Sequence, residues 1–71
     1  MNKNKVKEMV ESYKGKLISF KYNGARNQNE EFDGIIENTY NSVFTIKTID
    51  KNTIKSFTYN DIINESLQIF I

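Results

Sequence analysis

The stretch from residue 34 to residue 46, GIIENTYNSVFTI, constrains the fold more than any other part of the chain. Gly34 lies inside an apolar run, where a strand usually avoids glycine unless the backbone bends sharply or lies close to another strand. After the polar segment 38–42, β-branched and aromatic residues alternate strictly, so that Phe44 and Ile46 share one face. We therefore expect two strands that meet at a corner, as in the centre of a small β-barrel.

The composition of the chain argues against most catalytic chemistry. Its 71 residues suffice for one domain and contain no cysteine and no histidine, so the usual zinc ligands and the commonest general base are missing. A Ser-His-Asp triad cannot form. No apolar run approaches the roughly 18 residues that a membrane span requires. We expect a non-enzymatic cytoplasmic protein that needs no cofactor or metal.

Charge is distributed unevenly along the chain. Residues 1–26 contain seven Lys or Arg and two Glu, whereas residues 27–71 contain three Lys and seven acidic residues. This pattern is typical of a basic arm for nucleic acid or an acidic partner, but also of a solvated helix face followed by a mixed surface. The basic candidates for partner contacts are Lys5, Lys7 and Arg26.

The first segment, residues 3–13, has the spacing of an amphipathic helix. Four apolar residues fall on one helical face: Val6, Met9, Val10 and Tyr13. Gly15 then suits the left-handed position that ends many helices. Because three turns are too short to be stable alone, we expect this face to dock on an open end of the barrel. The alternative is an exposed stripe that binds a partner.

Alternation and turn residues predict five strands after this helix, within a barrel spanning residues 15–71. The strands are expected at residues 16–22, 30–37, 43–49, 53–59 and 66–71. Asn52 can adopt the left-handed conformation that a tight hairpin needs. A single helical turn is expected between residues 59 and 64, with Asn60 or Asp61 as its cap and Ile62 or Ile63 plugging the barrel end.

The last strand, SLQIFI, is too apolar to remain an uncovered edge. It either closes the barrel against the first strand or joins another chain. The predicted fold is therefore mostly β: an N-terminal helix followed by a five-stranded antiparallel SH3-like or Sm-like barrel, with a one-turn helix before the last strand.

Tyr40 is the large side chain of the corner at residues 38–42. It could be buried with its hydroxyl bonded to loop backbone, or exposed and available to stack on a base or a partner side chain. We favour the buried arrangement. Structural roles are also expected for the following residues: Gly34, Phe44, Tyr59 and Asp61.

Two further segments carry groups that could bind a ligand. The carboxylates of Glu31, Asp33 and Glu37 could share a hard metal ion, although the pattern more often marks the solvated face of a strand. The polar loop 23–30, NGARNQNE, could hold a ligand, but it lacks the glycine spacing and the lysine of a phosphate-binding loop.

Two known families share motifs with the chain. GIIENTYNSVFTI loosely resembles the first motif of Sm proteins, which often bind RNA, but the second half lacks the matching motif. A closer resemblance covers residues 15–71, since GKLISFKYNGARN, EFDGIIENTYNSVFTI and SFTYNDIINESLQIFI are similar to the Veg family of small bacterial proteins. Ten positions match its typical residues: Gly34, Glu37, Thr39, Tyr40, Ser42, Phe44, Ser56, Tyr59, Asp61 and Glu65.

The Veg resemblance implies a cytoplasmic regulatory protein that stimulates biofilm formation by relieving a transcriptional repressor of matrix genes. The first hypothesis is thus a protein-binding regulator that uses an exposed barrel face or edge, with a homodimer through that edge as an option. The second is a nucleic-acid-binding module that uses the Lys-rich N-terminal segment, Arg26 and Tyr40. The small net charge favours the first. The loop keeps Arg26 but has Asn27, Gln28 and Asn29 where the family carries basic residues.

Overall fold

A computed structural model describes residues 2–24 and 29–71 and contains one curved antiparallel sheet with two helices. The elements in chain order are α1 (Lys3–Ser12), β1 (Leu17–Asn23), β2 (Asn29–Thr39), β3 (Val43–Thr48), β4 (Ile54–Thr58), α2 (Tyr59–Ile63) and β5 (Leu67–Phe70). The strand order in the sheet is β4-β3-β2-β1-β5. The mostly-β fold, with one helix before the sheet and a short helix before the last strand, is confirmed.

The sheet curls strongly, but within the described residues no hydrogen-bonded pair of strands closes it into a barrel. The rings of Tyr22 on β1 and Phe57 on β4 have centroids 5.3 Å apart, although β2 and β3 lie between these strands in the sheet. Phe57 also stacks on Phe32 of β2 with a centroid distance of 6.0 Å. The predicted barrel is thus open between β4 and β5. The chain joins these two strands through α2, which contacts both.

Helix α1 covers part of the concave side of the sheet. Val6 and Val10 are fully buried, and the helix packs against α2 and β2. After the helix, Gly15 adopts a φ of +84°, and its N–H donates to the carbonyl oxygen of Ile36 at 3.0 Å. Docking of the apolar helix face is therefore confirmed, and the left-handed glycine directs the chain into β1.

Gly34 lies where β2 and β3 approach each other closely. A Cβ atom at this position would lie 2.6 Å from Ile46 Cγ2 and 2.8 Å from the carbonyl oxygen of Lys47. The irregularity in pairing is found further along β2, as a register shift between Ile36 and Asn38. The glycine therefore permits close approach of two strands, and the bulge that bends β2 follows it.

A left-handed residue lies in the turn after β3, and a side-chain capping box starts the helix after β4. Asn52 has the expected positive φ, 51°. Helix α2 begins at Tyr59, within the expected range, but its N-cap is Thr58 and not Asn60 or Asp61. Thr58 Oγ1 accepts a hydrogen bond from the N–H of Asp61 at 3.2 Å, and Asp61 Oδ2 accepts one from the N–H of Thr58 at 3.0 Å. Asp61 thus completes a capping box.

Candidate functional site

Large apolar side chains lie on the face of the sheet that points away from the core. The strand register places Leu17 of β1 opposite Ile35 of β2, Ile35 opposite Lys47 of β3, and Lys47 opposite Ile54 of β4. Residues directly opposite each other in an antiparallel ladder project from the same face. Leu17 is 64% exposed and Ile54 is 62% exposed. Both ends of this row are therefore apolar and open to solvent.

A second row lies beside the first and has a polar centre. Phe70 of β5 is opposite Ser19 of β1, which is opposite Asp33 of β2. Ser19 Oγ donates a hydrogen bond of 2.7 Å to Asp33 Oδ1, and the N–H of Ile49 donates to the carbonyl oxygen of Asp33 at 3.1 Å. Phe70 and Ile49 are each 52% exposed. The two rows together form the outer sheet face: Leu17, Ile35, Lys47, Ile54, Phe70, Ser19, Asp33 and Ile49.

The second row borders a shallow groove of about 440 Å³. Its apolar walls include Phe70 and Ile49, and charged side chains from Lys21, Glu31 and Asp50 line it as well. A surface of this kind can bury apolar side chains of a partner at its ends and orient them by hydrogen bonds and charges at its centre. The groove is therefore better suited to contact with the surface of another protein than to enclosing a small substrate.

The core on the inner face is complete without the outer apolar side chains. Phe44 and Tyr59 are fully buried, and their rings stack with centroids 5.5 Å apart. Phe20 and Phe32 continue the cluster with a centroid distance of 5.4 Å. Leu17 and Ile54 project from the opposite side, so their apolar surface remains available for intermolecular contacts.

Tyr40 differs from our expectation, because its side chain is 52% exposed. The buried hydroxyl at this corner belongs to Tyr59, which donates a hydrogen bond of 2.6 Å to the main-chain carbonyl oxygen of Tyr40. The N–H of Tyr40 donates to the carbonyl oxygen of Val43 at 2.8 Å and closes the turn. The backbone of Tyr40 is therefore fixed while its ring projects outward, as in the exposed alternative.

Burial raises the pKa of the Tyr59 phenol above its ordinary value of 10.0, the carboxylate of Glu11 raises it further, and the hydrogen bond to the Tyr40 carbonyl lowers it. Desolvation disfavours the phenolate, and a nearby negative charge acts in the same direction. Tyr59 is thus a neutral structural hydrogen-bond donor at neutral pH.

Two of the three basic candidates lie on α1 in the described part of the chain. Lys5 is exposed and Lys7 is half-buried on α1. The lysine that reaches the β2–β3 turn is Lys3, whose Nζ donates to Ser42 Oγ at 3.3 Å. Arg26 lies outside the described residues. A contact between these side chains and a partner therefore stays a prediction.

The three carboxylates considered as metal ligands each have a different neighbour across the sheet. Glu31 is opposite Lys21, and Asp33 is opposite Ser19, whereas Glu37 lies at the register shift in β2. Within residues 2–24 and 29–71, no three acidic side chains are grouped so that they could hold a metal ion. Glu31 and Asp33 instead belong to the solvated side of the strand.

Alternation within a single strand indicates which residues face outward, but it does not reveal the surface that they form together. It places Ile54 and Phe57 on opposite faces of β4, and Leu67 and Phe70 on opposite faces of β5. Only the register of four strands shows that Leu17 and Ile54 end one row. The signal in the sequence was the presence of large apolar residues at positions expected to face solvent.

Residues 2–70 match the model of a family described as biofilm formation stimulator VEG. No curated protein matches the chain. In the part of the chain that the structure describes, neither helix has the length and apolar character needed to cross a membrane.

Proposed function

This chain belongs to the Veg family of biofilm formation stimulators, and we propose that it acts by binding a transcriptional repressor of matrix genes through its outer sheet face. Binding would relieve repression without chemistry, in the cytoplasm where the repressor works. No catalytic group or cofactor takes part in this mechanism.

The observation that supports the proposal most directly is the exposure of large apolar side chains on one side of the sheet. Leu17 and Ile54 are more than 60% exposed at the two ends of one row. Isolated exposed apolar residues are normal on a protein surface, but several on one face mark sites of interaction. The core is formed by other side chains, so the apolar surface of Leu17 and Ile54 stays in contact with water until a partner buries it.

The polar centre of the face supports specificity. Ser19 Oγ on β1 donates a hydrogen bond of 2.7 Å to Asp33 Oδ1 on β2. This bond fixes the position of the carboxylate. A basic or hydrogen-bond-donating side chain of the partner could bind there while its apolar neighbours pack on Phe70 and Ile49. Apolar contacts would supply affinity, and the charges would select the partner.

Nucleic-acid binding is the second candidate, and the exposed lysines of α1 favour it. Lys3 and Lys5 are exposed on this helix, but Glu8 and Glu11 are also exposed there. A net charge of +1 for the whole chain provides little attraction for phosphates. Protein binding therefore accounts better for both the apolar face and the balanced charge.

A complementation experiment tests the proposal. In a bacterium that lacks its own Veg gene, the chain should restore biofilm mass and expression of a matrix-gene reporter. The double variant Leu17→Ser with Ile54→Ser should lose most of this activity, because two exposed ends of the binding surface are removed. Circular dichroism and thermal unfolding should show that the variant is folded, since neither side chain is buried.

Two control variants distinguish the competing surfaces. Lys51→Ala changes an exposed residue in the β3–β4 turn and should retain activity. The double variant Lys5→Ala with Lys7→Ala removes helix charge and should also retain it. Full activity of the Leu17 and Ile54 variant, together with loss of activity in the lysine variant, would contradict the proposal and support nucleic-acid binding.

A further inference from the structure

The strand β5 lies at one edge of the sheet and has backbone groups that point away from its neighbour. It pairs on one side with β1, and the N–H of Asn23 donates to the carbonyl oxygen of Ser66 at 2.7 Å. Hydrogen-bonded and non-hydrogen-bonded pairs alternate along an antiparallel ladder. The N–H and C=O groups of Leu67 and Ile69 therefore face away from β1, towards the position of an additional strand.

An apolar groove of about 350 Å³ runs beside this edge. Met9 and Tyr13 of α1 and Ile62 of α2 form one side, and Ile69 and Ile71 lie on the strand side. Ile71 is 82% exposed. The edge thus combines backbone groups able to pair with a strand and an apolar surface able to receive its side chains, as in other β-strand additions.

Charge indicates which strand can occupy this edge. Residues 66–71, SLQIFI, carry no charged side chain, whereas Glu65 borders the groove just outside them. In a two-fold symmetric pairing a strand meets its own copy, and like charges placed opposite each other are destabilising. A neutral apolar strand avoids this repulsion and is therefore complementary to itself.

The other edge of the sheet lacks this property. The strand β4 carries Lys55, whose Nζ lies 3.1 Å from Glu30 Oε1 and 5.5 Å from the ring centroid of Phe32. Charged residues, and lysine in particular, protect natural sheet edges against pairing. The two edges of one sheet thus differ, and β5 is the one suited to a second copy of the chain.

We propose that two copies of this chain form a symmetric dimer through antiparallel pairing of β5, with Ile69 on the two-fold axis. This register places Ile71 of each copy opposite Leu67 of the other, on the side of the helices, because residues 67, 69 and 71 share one face of the strand. Each copy contributes both an exposed isoleucine and the groove that receives it. Phe70 of each copy lies opposite Gln68 of the other, so the two outer sheet faces become continuous. The dimer does not depend on the proposed function.

The mass of the full chain in solution tests the dimer. Sedimentation equilibrium should give twice the monomer mass of 8.3 kDa at high concentration. Ile71→Asp places a charge over the partner's apolar groove and should return the mass to that of the monomer. Ile49→Asp changes a side chain that is also exposed, but on the outer sheet face, and should leave the dimer intact.

Cysteine cross-linking tests the register, because the chain has no cysteine of its own. Residues 68 and 70 of opposite copies form a non-hydrogen-bonded pair, in which Cα atoms lie about 4.5 Å apart, within disulfide range. The variant Gln68→Cys with Phe70→Cys should therefore become a covalent dimer on mild oxidation. The control Ile54→Cys with Ser56→Cys places two cysteines at the same two-residue separation in the sequence, but on the β4 edge. This variant should remain largely uncross-linked.

The outcomes separate this dimer from others. A mass of one chain at millimolar concentration would overturn the proposal. So would a dimer that persists in Ile71→Asp, or one that cross-links equally at both edges, because either result assigns the contact to another surface. A dimer that is lost in Ile71→Asp and cross-links only through residues 68 and 70 supports it.

Discussion

The hydroxyl of Tyr59 at the start of α2 donates a hydrogen bond of 2.6 Å to the main-chain carbonyl oxygen of Tyr40 in the β2–β3 turn. The two residues are 19 positions apart in the chain. The bond connects the helix that precedes the last strand to the corner between the two central strands. Since Tyr59 is fully buried and also stacks on Phe44, it fixes the turn from inside while the ring of Tyr40 projects outward.

Replacing Tyr59 with phenylalanine should lower the free energy of unfolding by about 1 kcal/mol, because one internal hydrogen bond is lost while the ring packing remains. Urea unfolding at neutral pH measures this loss. The same substitution at Tyr40, whose side chain is half exposed, should change stability by much less and serves as the control. Equal effects of the two substitutions would contradict the role assigned to Tyr59.

Tyr59 should also make the free energy of unfolding depend on pH in the alkaline range. Burial raises the pKa of Tyr59 in the folded chain, so the folded state retains the phenolic proton at a pH where the unfolded state has lost it. This stabilisation is complete below about pH 10, the ordinary tyrosine pKa, and is lost as pH rises through the higher folded pKa. Unfolding measured between neutral and strongly alkaline pH should show a smaller decline in Tyr59→Phe than in the original chain.

Gly34→Val should destabilise the chain by roughly 1 to 3 kcal/mol, as overpacking does in a tight interior. The first added atom would already lie 2.8 Å from the carbonyl oxygen of Lys47, and backbone cannot yield as a flexible side chain can. Gly34→Ala should show a smaller loss in the same direction. Denaturant midpoints measure both, and an unchanged midpoint for Gly34→Val would contradict the close approach of β2 and β3.

Phe44→Ala should cost about 3 to 5 kcal/mol, since the ring is fully buried and its removal leaves a cavity. The ring of Phe44 packs against the rings of Phe57 and Tyr59, with centroid distances of 6.2 and 5.5 Å respectively. Thermal or denaturant unfolding measures the loss. Val43 precedes it on the same strand and is only half-buried, so Val43→Ala should cost less.

Two threonines on β3 should respond differently to replacement by valine. Thr45 Oγ1 is buried and has no hydrogen-bond partner within the described residues, so Thr45→Val should leave stability unchanged or raise it by up to about 1 kcal/mol. Thr48 Oγ1 accepts a hydrogen bond from the N–H of Thr53 at 3.1 Å. Thr48→Val should therefore cost about 1 to 3 kcal/mol. Parallel denaturant titrations of the two variants decide the point, and a loss at Thr45 equal to that at Thr48 would show that its hydroxyl has a partner.

Much of the fold could be predicted because local patterns decide it. The helical spacing of Val6 and Val10 fixed which side of α1 is buried, and Asn52 marked a turn that requires positive φ. The errors arose where a residue's role depends on a distant strand. The bulge after Ile36 adjusts the register of β2 to that of β3, which alternation within one strand does not reveal.

The candidate site was less predictable than the fold for the same reason. Tyr40 was expected to be buried because it is a large ring in a corner, but Tyr59 occupies the interior of that corner. Leu17 and Ile54 lie 37 residues apart in the sequence and share a row only through the register of four strands. Exposed apolar residues could be suspected one at a time, whereas their common surface required the sheet.

The most direct test of binding through the outer sheet face is site-specific photocross-linking in living cells. A photoreactive amino acid would be placed at Leu17, at Ile54, at Tyr40, and at Lys51 as a control in the β3–β4 turn. We predict that Leu17 and Ile54 form one shared adduct with a DNA-binding repressor and that Lys51 forms none. Adducts with nucleic acid, or a repressor adduct from Tyr40 but from neither outer residue, would contradict the account.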